Sequence, residues 1–305
     1  MKNKKHMSED KTAKSYGSSG PIFDSAAIAH LESYRPNLHE VMTDEGVIQE
    51  FCDKFRQWIQ TTELNTYRGL DQFKYATYSN ATSESFDKFY MRNNNRRFKC
   101  FKGEYMYHQL AWRNSWPDWQ FIDVDTLDQN DAIVISYPFS DTGNKHPQQD
   151  KVLERCNELG IPVLIDCVFA SVSKDLEFDF THPCITDITF SLSKVFPIAY
   201  ARIGMRLTRE DDDDTLFVYQ KISYNNRIGA ALGLHFINRF DADYIVNKYY
   251  PQQIKLCKQL NVDPSNTVFF GLGGSDWNEY NRGSDTNRLS FHKIIHTGVE
   301  NGSSE

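Results

Sequence analysis

The chain has 305 residues, long enough for one large domain with a smaller companion, and its 40% hydrophobic content suffices for a real core. With 34 basic against 41 acidic residues the formal net charge is -7, which excludes a general nucleic-acid or membrane-surface binder as the expected class. The cysteines, at positions 52, 100, 156, 167, 184 and 257, are scattered without a Cys-x-x-Cys pair, so neither a zinc knuckle nor a disulfide framework is expected, and they read as reduced thiols in a cytoplasmic setting.

Residues 1–20 are polar and rich in Lys, Ser and Gly, and are expected to form a mobile arm without the apolar stretch of a secretory signal. From Ser25 to Gln60 the apolar spacing is helical, carried by Val47, Ile48, Phe51, Phe55, Trp58 and Ile59. Short apolar runs then alternate with helical ones: a strand over Phe73–Tyr78, a helix over Ser83–Asn93, a strand over Phe98–Phe101 and a helix over Tyr105–Trp112. The pattern repeats in the strand Asp131–Ser136, the helix Gln148–Leu159 and the strand Pro162–Ile165, with two further strands over Asp187–Phe190 and Ile203–Leu207. Such alternation predicts an α/β fold whose large domain has three α/β/α layers around a mostly parallel sheet.

Glu210–Asp214 reads as a solvated charged loop, Leu216–Leu260 as a long helical region, and the remainder as a reduced α+β small domain. That last part contains a strand over Thr267–Phe270, a glycine-rich turn and a strand over Arg288–Ile295. The expected division is an N-terminal helical segment over 21–60 belonging to the small domain, a large domain over 61–235 and a C-terminal small domain over 236–305. No apolar run approaches the ~20 residues of a membrane span.

Several loops carry candidate chemistry. Asp166 ends a predicted strand, and ligands of open parallel sheets bind beyond the carboxyl ends of the strands. An aspartate there is equally suited to capping the next helix. Asn80-Ala-Thr-Ser-Glu-Ser85 runs from strand into helix, so its hydroxyls and free N–H groups offer either a phosphate seat or an ordinary cap. Ser140-Asp-Thr-Gly143 is a tight polar turn after a buried strand.

In chain order, Ala81-Thr-Ser-Glu84, Tyr105, Ser140-Asp-Thr-Gly143, Asp166, Ser191-Leu-Ser-Lys194 and Arg202-Ile-Gly204 resemble the motifs of the fold-type I pyridoxal-phosphate-dependent aminotransferases of class I/II. The resemblance covers residues 70–207 and continues weakly to Arg288. It implies pyridoxal 5'-phosphate as cofactor, an amino acid and a 2-oxo acid as substrates, and a cytoplasmic homodimer. Lys194 would hold the cofactor as a Schiff base and move the substrate proton, while Asp166 would pair with the pyridine nitrogen. Ala81, Thr82, Ser83, Ser191 and Arg202 would hold the phosphate, Tyr105 would stack on the ring, and Ser140 would face its phenolic oxygen. Arg288 would grip the substrate α-carboxylate, and Tyr67 would reach the phosphate of a neighbouring subunit.

The chain also departs from that family. Ser140 and Asp141 stand where Asn and Pro are common, Phe169 replaces a tyrosine, and the segment between Leu260 and Arg288 is compressed. Fold does not fix reaction, so a lyase or decarboxylase on the same cofactor, and a catalytically degenerate binding protein, stand as rivals. No metal site is expected: His292 and His296 read as lying on a strand, too far apart along it for one ion. The basic cluster Arg92–Lys99 reads as a solvated helix end and loop.

Overall fold

In the computed structural model, which describes residues 16–111, 119–211 and 213–296, the helical opening is three helices: α1 Ser25–Ser33, α2 Leu38–Thr43 and α3 Val47–Gln60. Local chemistry explains the breaks. Asp24 and Asn37 accept backbone N–H groups at the starts of α1 and α2, and Pro36 disfavours helix at the residue before it. The chain continues through β1 Asn65–Arg68, β2 Tyr75–Asn80, α4 Ala81–Arg92, β3 Arg97–Cys100, α5 Met106–Ala111 and β4 Trp119–Phe121. Next come β5 Asp131–Ser136, α6 Gln149–Leu159, β6 Val163–Asp166, β7 Leu176–Asp179, β8 Ile185–Ser191 and β9 Ile203–Thr208.

The single helical region expected over Leu216–Leu260 is α7 Thr215–Lys221, α8 Arg227–Ile237 and α9 Tyr244–Leu260, with Asp214 and Asn226 capping the first two. β10 Asp263–Pro264, β11 Phe270–Gly273 and β12 Asn287–Ser290 form a small antiparallel sheet. The strand expected at Thr267–Phe270 thus starts at its last residue, and the expected glycine-rich turn is strand, with Gly271 and Gly273 paired to Leu289 and Asn287. The strand expected to reach Ile295 stops at Ser290, and His292 packs beside Gly20 with its ring bonded to Ser290. The predicted helix end at Trp112 lies outside the described residues.

Seven strands form the main sheet in the order β2-β9-β8-β6-β5-β3-β4, parallel except for β9, which runs against both its neighbours. β5, β6 and β9 are buried along their whole length, as expected for strands covered on both faces. Because β2, β5, β6 and β8 are parallel, the chain leaves them at Asn80, Ser136, Asp166 and Ser191 on the same edge. That edge is where an open sheet of this kind binds its ligand.

Helix α3, assigned by sequence to a small domain, instead packs on β2 and α8 of the large unit. Its buried face of Val47, Phe51, Phe55, Trp58 and Ile59 needs a broad apolar partner, and Gly233 of α8 lets Phe51 approach so closely that a Cβ there would lie 2.5 Å from the ring. Residues 16–20 of the expected mobile arm are also packed: Tyr16 sits edge-on to Trp277, Tyr280 and Phe291, and Ser290 donates its N–H to the Tyr16 carbonyl. The basic cluster is a helix end and exposed turn as expected, but its cations find buried partners. Arg92 bonds the buried carboxylate of Asp187, and Arg97 and the fully buried Lys99 share Asp131 at 2.7 and 3.2 Å. Among the described residues no helix is long and apolar enough to cross a membrane.

Candidate active site

Lys194 ends a 3-10 turn, Leu192–Lys194, that follows β8. Ser191 fixes this turn: its hydroxyl oxygen accepts from the Ser193 N–H at 3.1 Å and its proton goes to the Ile203 carbonyl at 2.9 Å. The side chain of Lys194 reaches inward, donates to the carbonyl of Ser19 at 2.7 Å, and lies 5.9 Å from the ring centre of Phe169. Burial and the Arg288 cation push its amine down to about 8, against the pull of Asp166. The neutral form of the amine therefore becomes the major one only as pH rises past about 8, well below the ordinary lysine range.

Asp166 is 1% exposed at the end of β6, and its Oδ1 accepts the Val168 N–H at 3.1 Å. Asp166 does not cap the next helix, since the 3-10 turn Ala170–Val172 has Phe169 at its N-cap without a side-chain bond; its oxygen closes the turn that leaves β6 instead. Burial, and then the charge of Glu104, raise its pKa well above the usual carboxylate range. Glu104 is a residue the sequence reading missed. It is 1% exposed, bonds the Ser136 hydroxyl, and accepts N–H groups from Ser136 and Tyr105, each at 3.1 Å. Its neighbour Tyr105 is half-exposed, stacked beside Tyr107 and close enough to Asp166 for that carboxylate to raise its phenol pKa after burial has done so.

The predicted phosphate loop opens α4. Asn80 provides no side-chain cap for that helix, which leaves its first N–H groups available, and Ala81 has a left-handed backbone with φ 57°. Arg202, itself left-handed at φ 56°, donates to the Ser83 hydroxyl at 2.8 Å and so brings a guanidinium to the helix end. Thr82 is buried at the same end. Gly204 permits the approach: a Cβ there would stand 2.8 Å from Ala81 Cα and 2.9 Å from the Phe190 carbonyl oxygen, both backbone. Gly204→Ala is accordingly expected to lower stability by about 2 kcal/mol and displace the Ala81 loop, read as a lower urea midpoint together with weaker binding of a phosphorylated ligand.

Opposite Lys194 stand two arginines. Arg282 and Arg288 both donate to the Ser140 carbonyl, at 3.0 and 2.5 Å, so Ser140 serves through its backbone. Arg288 lies with its guanidinium carbon 4.3 Å from the Phe270 ring centre and has a buried Nε without a partner. Burial and the Arg282 cation hold it well below the ordinary guanidinium range, a condition that an incoming carboxylate would relieve. Asp141, which replaces the proline of the resembling family, is fully buried, bonds Ser284 and faces Arg282 at 3.9 Å. Arg282 and Ser284 went unread in the sequence because their role depends on a loop folding back across the sheet edge. Tyr67 stacks on Phe178 at 4.6 Å between ring centres.

No family model and no curated protein matches the chain. Solved structures do. The chain is similar to histidinol-phosphate aminotransferase from Clostridium acetobutylicum, with 15% identity over 94% of this chain and 98% of that one and a TM-score of 0.63. It is similar also to the aromatic aminotransferase from Pyrococcus horikoshii OT3, with 12% identity over 93% and 92% and a TM-score of 0.61. Alanine aminotransferase from Pyrococcus furiosus matches with 14% identity over 90% and 84% and a TM-score of 0.58. The chain has the fold of the fold-type I aminotransferases. The side chains suit the cofactor of that fold: an uncapped helix end with an arginine beside it, a part-buried amine of lowered basicity and a buried strand-end carboxyl.

Proposed function

We propose that the chain is a pyridoxal-phosphate-dependent aminotransferase that moves an amino group between an amino acid and a 2-oxo acid. The observation that carries this is Lys194, part-buried, with its amine pushed down to about 8, on the same sheet edge as Asp166 and the Ala81 helix end. When bound, the cofactor supplies a ring that accepts the electrons of a substrate Cα–H bond. Thr82, Ser83 and Arg202 at the start of α4 would hold its phosphate, Tyr105 would cover one ring face, and Asp166 would take the proton-bearing ring nitrogen. Arg288 would bind the substrate α-carboxylate and turn Cα toward Lys194, whose neutral amine would take the Cα proton and return it.

Since the Lys194 pKa is lowered, its nucleophilic neutral form grows as pH rises through about 8. The rate of capture of added pyridoxal phosphate, followed by absorbance, is expected to climb with that midpoint and then level off. A midpoint at the ordinary lysine value of about 10.4 would contradict the site. An amino-donor screen read at the same absorbance tests the reaction. Conversion to a stable pyridoxamine form supports transfer, whereas release of carbon dioxide or ammonia would replace it with a decarboxylase or lyase.

We also propose a homodimer. The support is an apolar surface beside the site: Tyr200 is 100% exposed, with Tyr224 at 73%, Ile222 at 62%, Met42 at 60% and Leu38 at 55%. Hydrogen bonds from Asn226 to Ala201, Arg227 to Met42 and Ser223 to Glu45 tie the segments that carry these side chains together, and a second copy would cover them.

A further inference from the structure

We infer that Glu104 is a positioning residue that sets the charge at Asp166, so that a pyridine nitrogen placed against that carboxylate keeps its proton. The geometry is that of neighbouring strands. Ser136 ends β5 directly across from Asp166 in the register of β5 and β6, and Glu104 grips Ser136 by both its hydroxyl and its N–H. The Ser136 hydroxyl also accepts the Ser140 N–H at 2.7 Å, so its proton is directed to Glu104. Adjacent strands lie about 4.8 Å apart, so Ser136 stands one strand from Asp166 and the Glu104 carboxylate one hydrogen bond beyond Ser136, both carboxylates buried.

Glu104 is held by hydrogen bonds, with one cation, Arg282, near enough to act on its charge. Its facing groups are Ser136 on β5, Cys100 on β3, Tyr90 on α4, Tyr105 next along the chain and Arg282 from the loop before β12. Arg282 is the cation among them, and it is already shared with Asp141. Asp166 is faced by Lys194, Tyr105, Cys167 and Glu104. In a site of low dielectric a second negative charge strengthens the hold of Asp166 on a proton, whether the proton rests on the carboxyl itself or on a ring nitrogen against it.

This rests on the proposed cofactor for its consequence, but it can be read without it. The full-length chain, its Glu104→Gln variant and its Glu104→Asp variant are titrated by infrared spectroscopy, each differenced against the matching chain that also carries Asp166→Asn. Glutamine keeps an acceptor for Ser136 while removing the charge, and aspartate keeps the charge. The Asp166 carboxyl is expected to lose its proton at least about one pH unit lower in Glu104→Gln, a tenfold change, and to return toward the parent in Glu104→Asp. Unchanged midpoints in both variants would overturn the inference. With pyridoxal phosphate added, the alkaline decline of its affinity is expected to move to lower pH by the same amount in Glu104→Gln. If the ligand binds none of the chains, the proposed function falls while the infrared midpoints still decide the role of Glu104.

Discussion

Lys194→Ala is expected to fold, to show no chromophore that borohydride can fix to the chain, and to transfer amino groups about a thousandfold more slowly than the parent. The size follows from the two roles proposed for one amine: attachment of the cofactor and movement of the Cα proton. The fold should survive because the turn is held by Ser191, which caps it and bonds Ile203, and not by the lysine. What the substitution does remove is the donor to the Ser19 carbonyl, so the Tyr16–Gly20 segment should become easier to cleave by protease. A yellow, reducible Lys194→Ala protein would refute the assignment of the Schiff base, and an unfolded one would show that the amine is structural.

Asp131→Ala should lower unfolding stability by about 4 kcal/mol, because it strands a cation that has no route to water. Lys99 is 1% exposed and reaches Asp131 at 3.2 Å, its other contact being the Thr126 carbonyl at 3.1 Å. Arg97 and the Asp128 N–H lose the same carboxylate. A double variant that replaces Lys99 with Met and Asp131 with Leu should recover most of the loss, since two apolar side chains carry no desolvation penalty. Urea unfolding of both variants decides this. Equal midpoints for Asp131→Ala and the parent would mean that Lys99 finds solvent.

Much of the candidate site was legible because its residues sit next to local signals. Asp166 follows an apolar strand, Thr82 and Ser83 follow a strand and open a helix, and Lys194 precedes Arg202-Ile-Gly204 at a fixed spacing. Such positions are set by strand length and helix start, which neighbouring residues dictate. Glu104, Asp141, Arg282 and Ser284 carry no comparable signal. Each looks like a loop residue until the loop before β12 folds over the sheet edge and Arg282 meets the Ser140 carbonyl. The buried partners of the run Arg92–Lys99 went unread for the same reason, Asp187 and Asp131 being 95 and 34 residues away from Arg92 and Arg97.

By itself the sequence determined the alternation of strands and helices, the mostly parallel sheet and the order of the loops at its carboxyl edge, because periodicity and turn chemistry act over a few residues. Tertiary structure alone decided where α3 packs, that residues 16–20 close on Lys194, and which buried charges share a partner. Those depend on long-range burial, where the cost of leaving an apolar face or a charge without a partner is settled only once distant segments meet.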